Sequence, residues 1–333
     1  MLSRTGMGIR SLAKSAMMKK RSSSSYTKQL TAIPSLENVN VSNNDSNKNP
    51  KFRYLSAWFC PFAHRATLAL EHHSTSIDYE WVEALGWEQR KDENNVTGTG
   101  KEWWYHWKAD ELKRANPSAL VPTLIPVGES EGSGPNEDKA VYESLVTIDF
   151  IDQISGIDAT STQRLIPHDP YEAARCRIWA DKVNREMCSP YYGVLVRKEE
   201  SERMEHFESL IKGLTSFSEE LVKTPGPTFL ANGQLSNVDL ALIPWAYRYY
   251  VFEHYRGEEY VIDTVEKYPQ LKPYQIWYDH VMNLESVKRT LPDKDDYLEH
   301  IGKYADSSAR SKVANAVRRG VSAHELDDEK DEY

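Results

Sequence analysis

From residue 51 onward the spacing of apolar positions alternates between two periods. Phe52 to Phe59 is dense in apolar and aromatic residues and predicts a strand that Cys60-Pro61 closes. Residues 61–73 change to helical spacing, with Ala66, Ala69 and Leu70 on one side and Pro61 at the first helical position. Ile77 to Leu85 alternates and predicts a second strand. An Asn-, Gly- and Trp-containing excursion follows over 86–103, then a helix predicted over about 104–115 that stops at Asn116-Pro117. Leu120 to Val127 predicts a third strand, interrupted by Pro122. Residues 128–138 predict a loop and Lys139 to Tyr142 a short fourth strand. A helix starting near Glu143 carries Leu145, Ile148, Phe150 and Ile151 on its apolar side.

This order implies one four-stranded α/β unit over 51–154, with a parallel βαβ start and an antiparallel finish, which is the thioredoxin-like arrangement. After a linker over 155–168 the strand signal stops. Segments 169–196, 202–222, 237–255 and 271–283 all have helical period, predicting an all-α second domain over 169–300. Pro225-Gly226-Pro227 separates the second of these segments from the third. Ser236-Asn237-Val238-Asp239 has the spacing of a capping box, with Leu235 and Leu240 placed as its hydrophobic staple. Residues 304–333 are polar, end in acidic residues, and predict a mobile tail.

Charge changes the picture at the N-terminus. Residues 1–36 hold seven Lys and Arg and no acid, so the remaining chain carries −16 against −9 for the whole. A body this acidic repels phosphate backbones, which excludes nucleic acid as a partner. The basic, Ser- and Met-rich start has the composition of an organellar presequence, mitochondrial before plastid, with a cytoplasmic protein carrying a basic extension as the alternative. Residues 37–50 predict a linker. Only three cysteines occur, Cys60, Cys176 and Cys188, too few and too irregular for a disulfide-stapled secreted domain. In a reducing compartment the sequons at Asn40, Asn44 and Asn95 are without meaning. No apolar run reaches the ~18–20 residues of a membrane span. His72-His73 is adjacent rather than at i, i+4 and has no partner at ligand spacing, so no metal is expected.

Cys60 carries the chemistry. At a strand-to-helix junction, helix N-terminal amides point toward its sulfur and favour the thiolate, with His64 and Arg65 in the first turn adding positive potential. A lone Cys before Pro also fits a buried structural cysteine. The string Trp58-Phe59-Cys60-Pro61-Phe62-Ala63-His64-Arg65 resembles the Cys-Pro-Phe-Ala-x-Arg segment of omega-class glutathione transferases. Further resemblances follow in order: Lys108 eight residues before Asn116-Pro117, Leu120-Val121-Pro122-Thr123-Leu124, Tyr142-Glu143-Ser144-Leu145, and Pro167 to Ala173. Together they cover about residues 51–295. The stretches 86–103 and 128–138 are longer than that family's pattern, and both chain ends lie outside it.

The resemblance implies a glutathione transferase fold, a homodimer, and glutathione as co-substrate. It implies that Val121-Pro122 is cis, at a cost of only about 0.5–1 kcal/mol, with the Val121 backbone pairing with the cysteinyl part of glutathione. It further assigns Glu143 and Ser144 to the γ-glutamyl end and Lys108 to the glycyl carboxylate. The implied reaction is thiol transfer or dehydroascorbate reduction through a Cys60–glutathione mixed disulfide, resolved by a second glutathione. Ala63 rules out a Cys-x-x-Cys cycle. A glutathionyl-hydroquinone reductase, which typically has Trp at the position of Phe62, is the near alternative; a non-catalytic binding or assembly module is the distant one. Tyr54, Cys176 and Cys188 are expected to be structural. Trp179, Tyr191 and Tyr192 are candidates for the acceptor wall, weighed against a core role. Trp103, Trp104 and Trp107 are expected to pack.

Overall fold

The computed structural model describes residues 49–91, 102–128, 134–158 and 160–326. The readings made for residues 1–48, including the basic start, and those for Asn95 and 327–333 lie outside the described residues. Strand β1 (Lys51–Ser56) leads through a tight turn into α1 (Pro61–His72), and β2 (Asp78–Glu83) returns parallel to β1. β5 (Thr123–Val127) pairs antiparallel with the other edge of β1, and β6 (Val141–Tyr142) with β5. The sheet order is therefore β2-β1-β5-β6. Helix α3 (Ser144–Ile154) packs beside α1 on this sheet. It is a thioredoxin-like α/β unit of mixed sheet, followed by helices.

The helical part comprises α4 (Pro170–Val183), a π-helical turn (Asn184–Cys188), α5 (Ser189–Val196), α6 (Glu200–Leu221), α7 (Asn237–Ala246) and α8 (Tyr250–Arg256). It continues with α9 (Lys272–Asn283), α10 (Glu285–Lys288), α11 (Lys294–Ala305) and α12 (Lys312–Arg319). The capping box forms as its spacing predicts: Asp239 N donates to Ser236 Oγ, and Asp239 accepts from Ser236 N at 2.8 Å. Asp239 is fully buried and also accepts from Ser236 Oγ (2.7 Å), Phe229 N (3.1 Å) and Trp277 Nε1 (2.8 Å). One carboxylate thus ties α7, the loop before it and α9 together.

Two sequence expectations need correction. Glu102–Lys108 is a strand, β4, and not the first part of a helix; the helix, α2, is only Asp110–Ala115. β4 pairs antiparallel with β3 (Leu85–Lys91) in a second, two-stranded sheet. Aromatic side chains lose χ1 freedom in a helix and suit a pleated surface. In EWWYHWK they alternate, with Trp103, Tyr105 and Trp107 on one face and Trp104 and His106 on the other. Gly86 is required opposite them, because a Cβ there would lie 2.5 Å from the Trp107 ring.

The second correction concerns the tail. Residues 304–326 are built into the fold: α12 packs on α5, capped by Ser311, whose Oγ accepts from Ala314 N at 3.1 Å. The segment before α12 docks on the hairpin, with Trp104 N donating to Ser308 O (3.1 Å) and Arg310 N to Trp104 O (2.7 Å). Arg310 stacks 3.4 Å above the Trp103 ring, and the Lys303 ammonium lies 4.7 Å from the Trp104 ring. Trp103 and Trp104 pack as expected, while Trp107 lies over Gly86 and is otherwise exposed; none of the three lines the cavity described below. Polarity misled here because much of what the tail buries is small, Ala309, Ala314, Ala316 and Ala323, beside Tyr304 and Val317.

Candidate functional site

Cys60 is the N-cap of α1, in extended conformation, with Pro61 at the first helical position. Its amide donates to Ala57 O at 3.0 Å, which closes the turn from β1. Trp58 N in the same turn donates to Glu83 Oε1 at 3.1 Å, and Trp81 Nε1 holds the other oxygen of Glu83 at 3.1 Å. Burial raises the Glu83 carboxyl to about 7. Tyr54, a core residue as expected, pins the first turn of α1 through Tyr54 Oη to Ala63 O (2.5 Å) and Thr67 Oγ1 (3.0 Å).

Burial pushes the Cys60 thiol up from its ordinary value, while hydrogen bonds from the Ala63 and Phe62 amides and the Arg248 and Arg65 charges pull it down. The balance is upward, against the sequence expectation of a favoured thiolate. One contributor is missing: His64 is buried and, for that reason and because Arg248 is beside it, held well below its usual range. His64 is therefore neutral. Its Nε2 contacts Thr290 Oγ1 at 2.7 Å and its Nδ1 accepts from Arg248 Nη1 at 3.1 Å.

Arg65 and Arg248 are both fully buried, and among the described residues neither has a carboxylate partner. Arg65 donates to Ala241 O (3.0 Å), Ser144 Oγ (3.0 Å), Asn184 Oδ1 (3.0 Å) and Cys188 Sγ (3.3 Å), and its guanidinium lies 4.4 Å from the Trp245 ring. Arg248 donates to Pro244 O at 2.7 Å and stacks on Tyr297 at 4.6 Å, leaving Nε and Nη2 without partners. Two such cations raise the local potential.

A cavity of about 290 Å³ opens beside Cys60. Val121, Pro122, Glu143 and Ser144 line it together with Cys60. The Val121–Pro122 bond is cis. Glu143 is the N-cap of α3 at φ 68°, a left-handed conformation that costs of order 1–3 kcal/mol in a residue with a Cβ and persists where the surroundings hold it. Ser144 Oγ accepts from Arg65, which leaves its own hydroxyl proton free to donate. Lys108 does not line the cavity; it ends β4 directly across from Leu85, which does, and so flanks it.

The rest of the lining was illegible in the sequence. It is built by Asn184 from the π-helical turn, Tyr192 from α5, Tyr297, His300 and Tyr304 from α11, and His106 from β4. Ser311, Val313 and Ala323 to His324 of the C-terminal segment complete it. Of the three acceptor-wall candidates, Tyr192 alone lines the cavity. Tyr191 is buried with its Oη 3.1 Å from Tyr297 Oη, and Trp179 packs 5.7 Å from Phe229. Cys176 and Cys188 are buried in the helical part, each thiol raised by burial to about 12, which makes both inert near neutral pH. Among the described residues no cluster of His, Cys, Asp or Glu could hold a metal, and no helix is long and apolar enough to cross a membrane.

Comparison with known proteins agrees with this geometry. Residues 59–154 match the family model "Glutathione S-transferase, N-terminal domain". Similar proteins include Glutathione S-transferase U16 of Arabidopsis thaliana, 23% identical over 262 residues, covering 77% of this chain and 96% of the relative. A probable glutathione S-transferase of Nicotiana tabacum is 26% identical over 247 residues, covering 74% and 90%. Among solved structures, glutathione transferase Omega 3C from Trametes versicolor superposes with TM-score 0.56 at 24% identity, over 78% of this chain and 93% of that one. The Tau class glutathione S-transferase of mango, Mangifera indica, gives 0.58 at 21%, over 76% and 98%. At these identities the structural likeness speaks to the fold.

Proposed function

We propose that this chain, which is similar to glutathione S-transferases over about three quarters of its length and matches their N-terminal domain over residues 59–154, uses glutathione as co-substrate in a cysteine-dependent, omega-like thiol transfer, reducing disulfides or dehydroascorbate. The observation that carries this is the position of Cys60, on the wall of the same cavity as Val121, Pro122, Glu143 and Ser144. The Ser144 hydroxyl proton and the α3 N-terminus suit the γ-glutamyl carboxylate, which also supplies an anion near buried Arg65. Glu143 meets the γ-glutamyl ammonium, the Val121 backbone pairs with the cysteinyl unit, and Lys108 reaches in from the flank toward the glycyl carboxylate. Cys60 sulfur attacks the glutathionyl sulfur of a mixed disulfide and expels the substrate thiolate; a second glutathione thiol then attacks the Cys60–glutathione disulfide, freeing Cys60 and leaving as oxidised glutathione. The amides of Phe62 and Ala63 and the two buried cations favour the thiolate that this needs, against the burial that leaves the thiol above its ordinary value.

Intact-protein mass spectrometry after incubation with oxidised glutathione tests the reading. One glutathione adduct is expected on the wild type, absent from Cys60→Ala and removed by reduced glutathione. An unmodified wild type would overturn it. Ser144→Ala is expected to weaken glutathione binding by about 1.5–3 kcal/mol, the worth of a hydrogen bond to a charged group; calorimetry showing unchanged affinity would displace the γ-glutamyl assignment.

A second reading, conjugation of glutathione to an electrophile, is favoured by the Tau class likeness and by the upward balance on the Cys60 thiol. In it the site lowers the thiol pKa of bound glutathione, and Cys60 forms no adduct.

A further inference from the structure

The turn that presents Cys60 is tied to the sheet by a carboxylate. Glu83 ends β2, in register with Ser56 at the end of β1, where the chain leaves the sheet for that turn. Its Oε1 accepts from Trp58 N and its Oε2 from Trp81 Nε1, each at 3.1 Å. Trp58 lies between Cys60 and Ala57, whose carbonyl accepts from Cys60 N at 3.0 Å. The Trp58 ring meets Phe59 edge-on at 5.7 Å and His300 at 5.6 Å, and both of these line the cavity. A shift of the Trp58 backbone therefore moves the thiol and the wall beside it together.

Glu83 holds these two donors without a cation. Among the described residues no Lys, Arg or His acts on it, and burial raises its carboxyl to about 7. The titratable group that faces it from β1 is Tyr54, which also feels Cys60. Tyr54 is fully buried, donates its proton to Ala63 O, and stays neutral. On the same face of β2, Tyr79 donates to Glu71 of α1, which pairs with Arg289. An ionised carboxylate accepts through both oxygens, whereas a protonated one turns one of them into a donor. Proton uptake by Glu83 thus leaves one of its two N–H partners without an acceptor. Trp81 is packed edge-on against Tyr54 at 5.1 Å, so the Trp58 amide, in the turn, is the one that yields.

We propose that Glu83 is a positioning residue for Cys60: its ionised carboxylate fixes the Trp58 amide, and with it the turn that presents the thiol, and proton uptake releases them. Because burial raises this carboxyl, the turn is held above about 7 and loosened below it, where an ordinary glutamate would still be ionised. The site then loses competence on mild acidification through an ionisation that is not the thiol's own. The consequence for turnover rests on the proposed thiol transfer; the hold on the turn does not.

Heteronuclear NMR of the isotope-labelled full chain across neutral pH tests it. The Trp58 amide and Trp81 indole N–H resonances are expected to titrate together in wild type with a midpoint of about 7, and to stay flat in Glu83→Gln, which cannot ionise. In wild type, kcat/KM for reduction of a small glutathione mixed disulfide is expected to fall several-fold on acidification through the same midpoint. Glu83→Gln has the lower value throughout and lacks this ionisation, leaving only the thiol's. Alkylation of Cys60 by iodoacetamide reports the thiol's own ionisation, which both proteins share. A purely structural role for Glu83 would lower the rate without removing an ionisation. A Trp58 amide that does not titrate, or a kinetic ionisation at that midpoint that persists in Glu83→Gln, overturns the proposal; the wild-type titration decides even if Glu83→Gln fails to fold. A titrating Trp58 amide with no mixed-disulfide reduction at any pH would remove the thiol-transfer reading and leave the hold on the turn standing.

Discussion

Cys60→Ser is expected to lower glutathione-dependent disulfide reduction by roughly 10³-fold or more while leaving the protein folded. The substitution keeps the N-cap geometry, since Cys60 makes its turn through its backbone amide to Ala57 and no side-chain cap bond is lost. What changes is the ionisation. Burial raises the thiol, the Phe62 and Ala63 amides and two buried guanidinium groups partly offset it, and a hydroxyl in the same place is a far weaker acid still. Initial rates with a small glutathione mixed disulfide, with circular dichroism as the control for folding, give the comparison. Retained reduction would mean that another group is the nucleophile. Lost reduction with gained conjugation of an aryl halide would show that one site supports both chemistries, separated by a single atom.

The largest effect on stability is expected at Asp239, 38 residues before Trp277 in sequence and hydrogen-bonded to it. Asp239→Ala leaves Ser236 N, Phe229 N and Trp277 Nε1 buried without their acceptor, and releases the Ser236 hydroxyl. Each unsatisfied buried donor costs about 1–3 kcal/mol, and relaxation recovers part, so a net loss of about 3–5 kcal/mol is expected from urea unfolding midpoints. Asp239→Asn, which retains an acceptor oxygen, is expected to lose less. Ser236→Ala removes one cap alone and should cost only about 1 kcal/mol. If the three variants were equally stable, the junction between α7 and α9 would be held by packing, not by this carboxylate.

Local signals in the chain carried the two parts of the fold and half of the site. The change from period 2 to period 3.6 marked β1, α1 and β2, and Ser236 to Asp239 marked the start of α7, because those features depend on neighbours one to four residues away. Cys60, Val121-Pro122 and Glu143-Ser144 were legible for the same reason: each is a residue type at a turn or helix start whose chemistry is local. Failures came where the deciding partner was distant. Residues 104–108, read as the start of a helix, belong to a strand because β3 was available to pair with all seven positions of Glu102–Lys108. Residues 304–326 looked like a polar tail, and only the exposed edge of β4 at Trp104 and the surface of α5 gave them somewhere to pack.

By itself, the sequence determined a thioredoxin-like unit followed by helices and a single reactive-cysteine candidate, since periodicity and turn chemistry are written in consecutive residues. Tertiary structure decided the electrostatics and the rest of the cavity lining. His64 reads as a cation beside Cys60, and burial against Thr290 and Arg248, 226 and 184 residues away, makes it neutral. Arg248 carries no signal in the sequence, and folding strips it of water with no carboxylate partner among the described residues. His300 carries no motif at all; its donating nitrogen is set by an indole 213 residues earlier. Protonation and direction are properties of a side chain's surroundings, and those surroundings exist only once distant segments have closed around it.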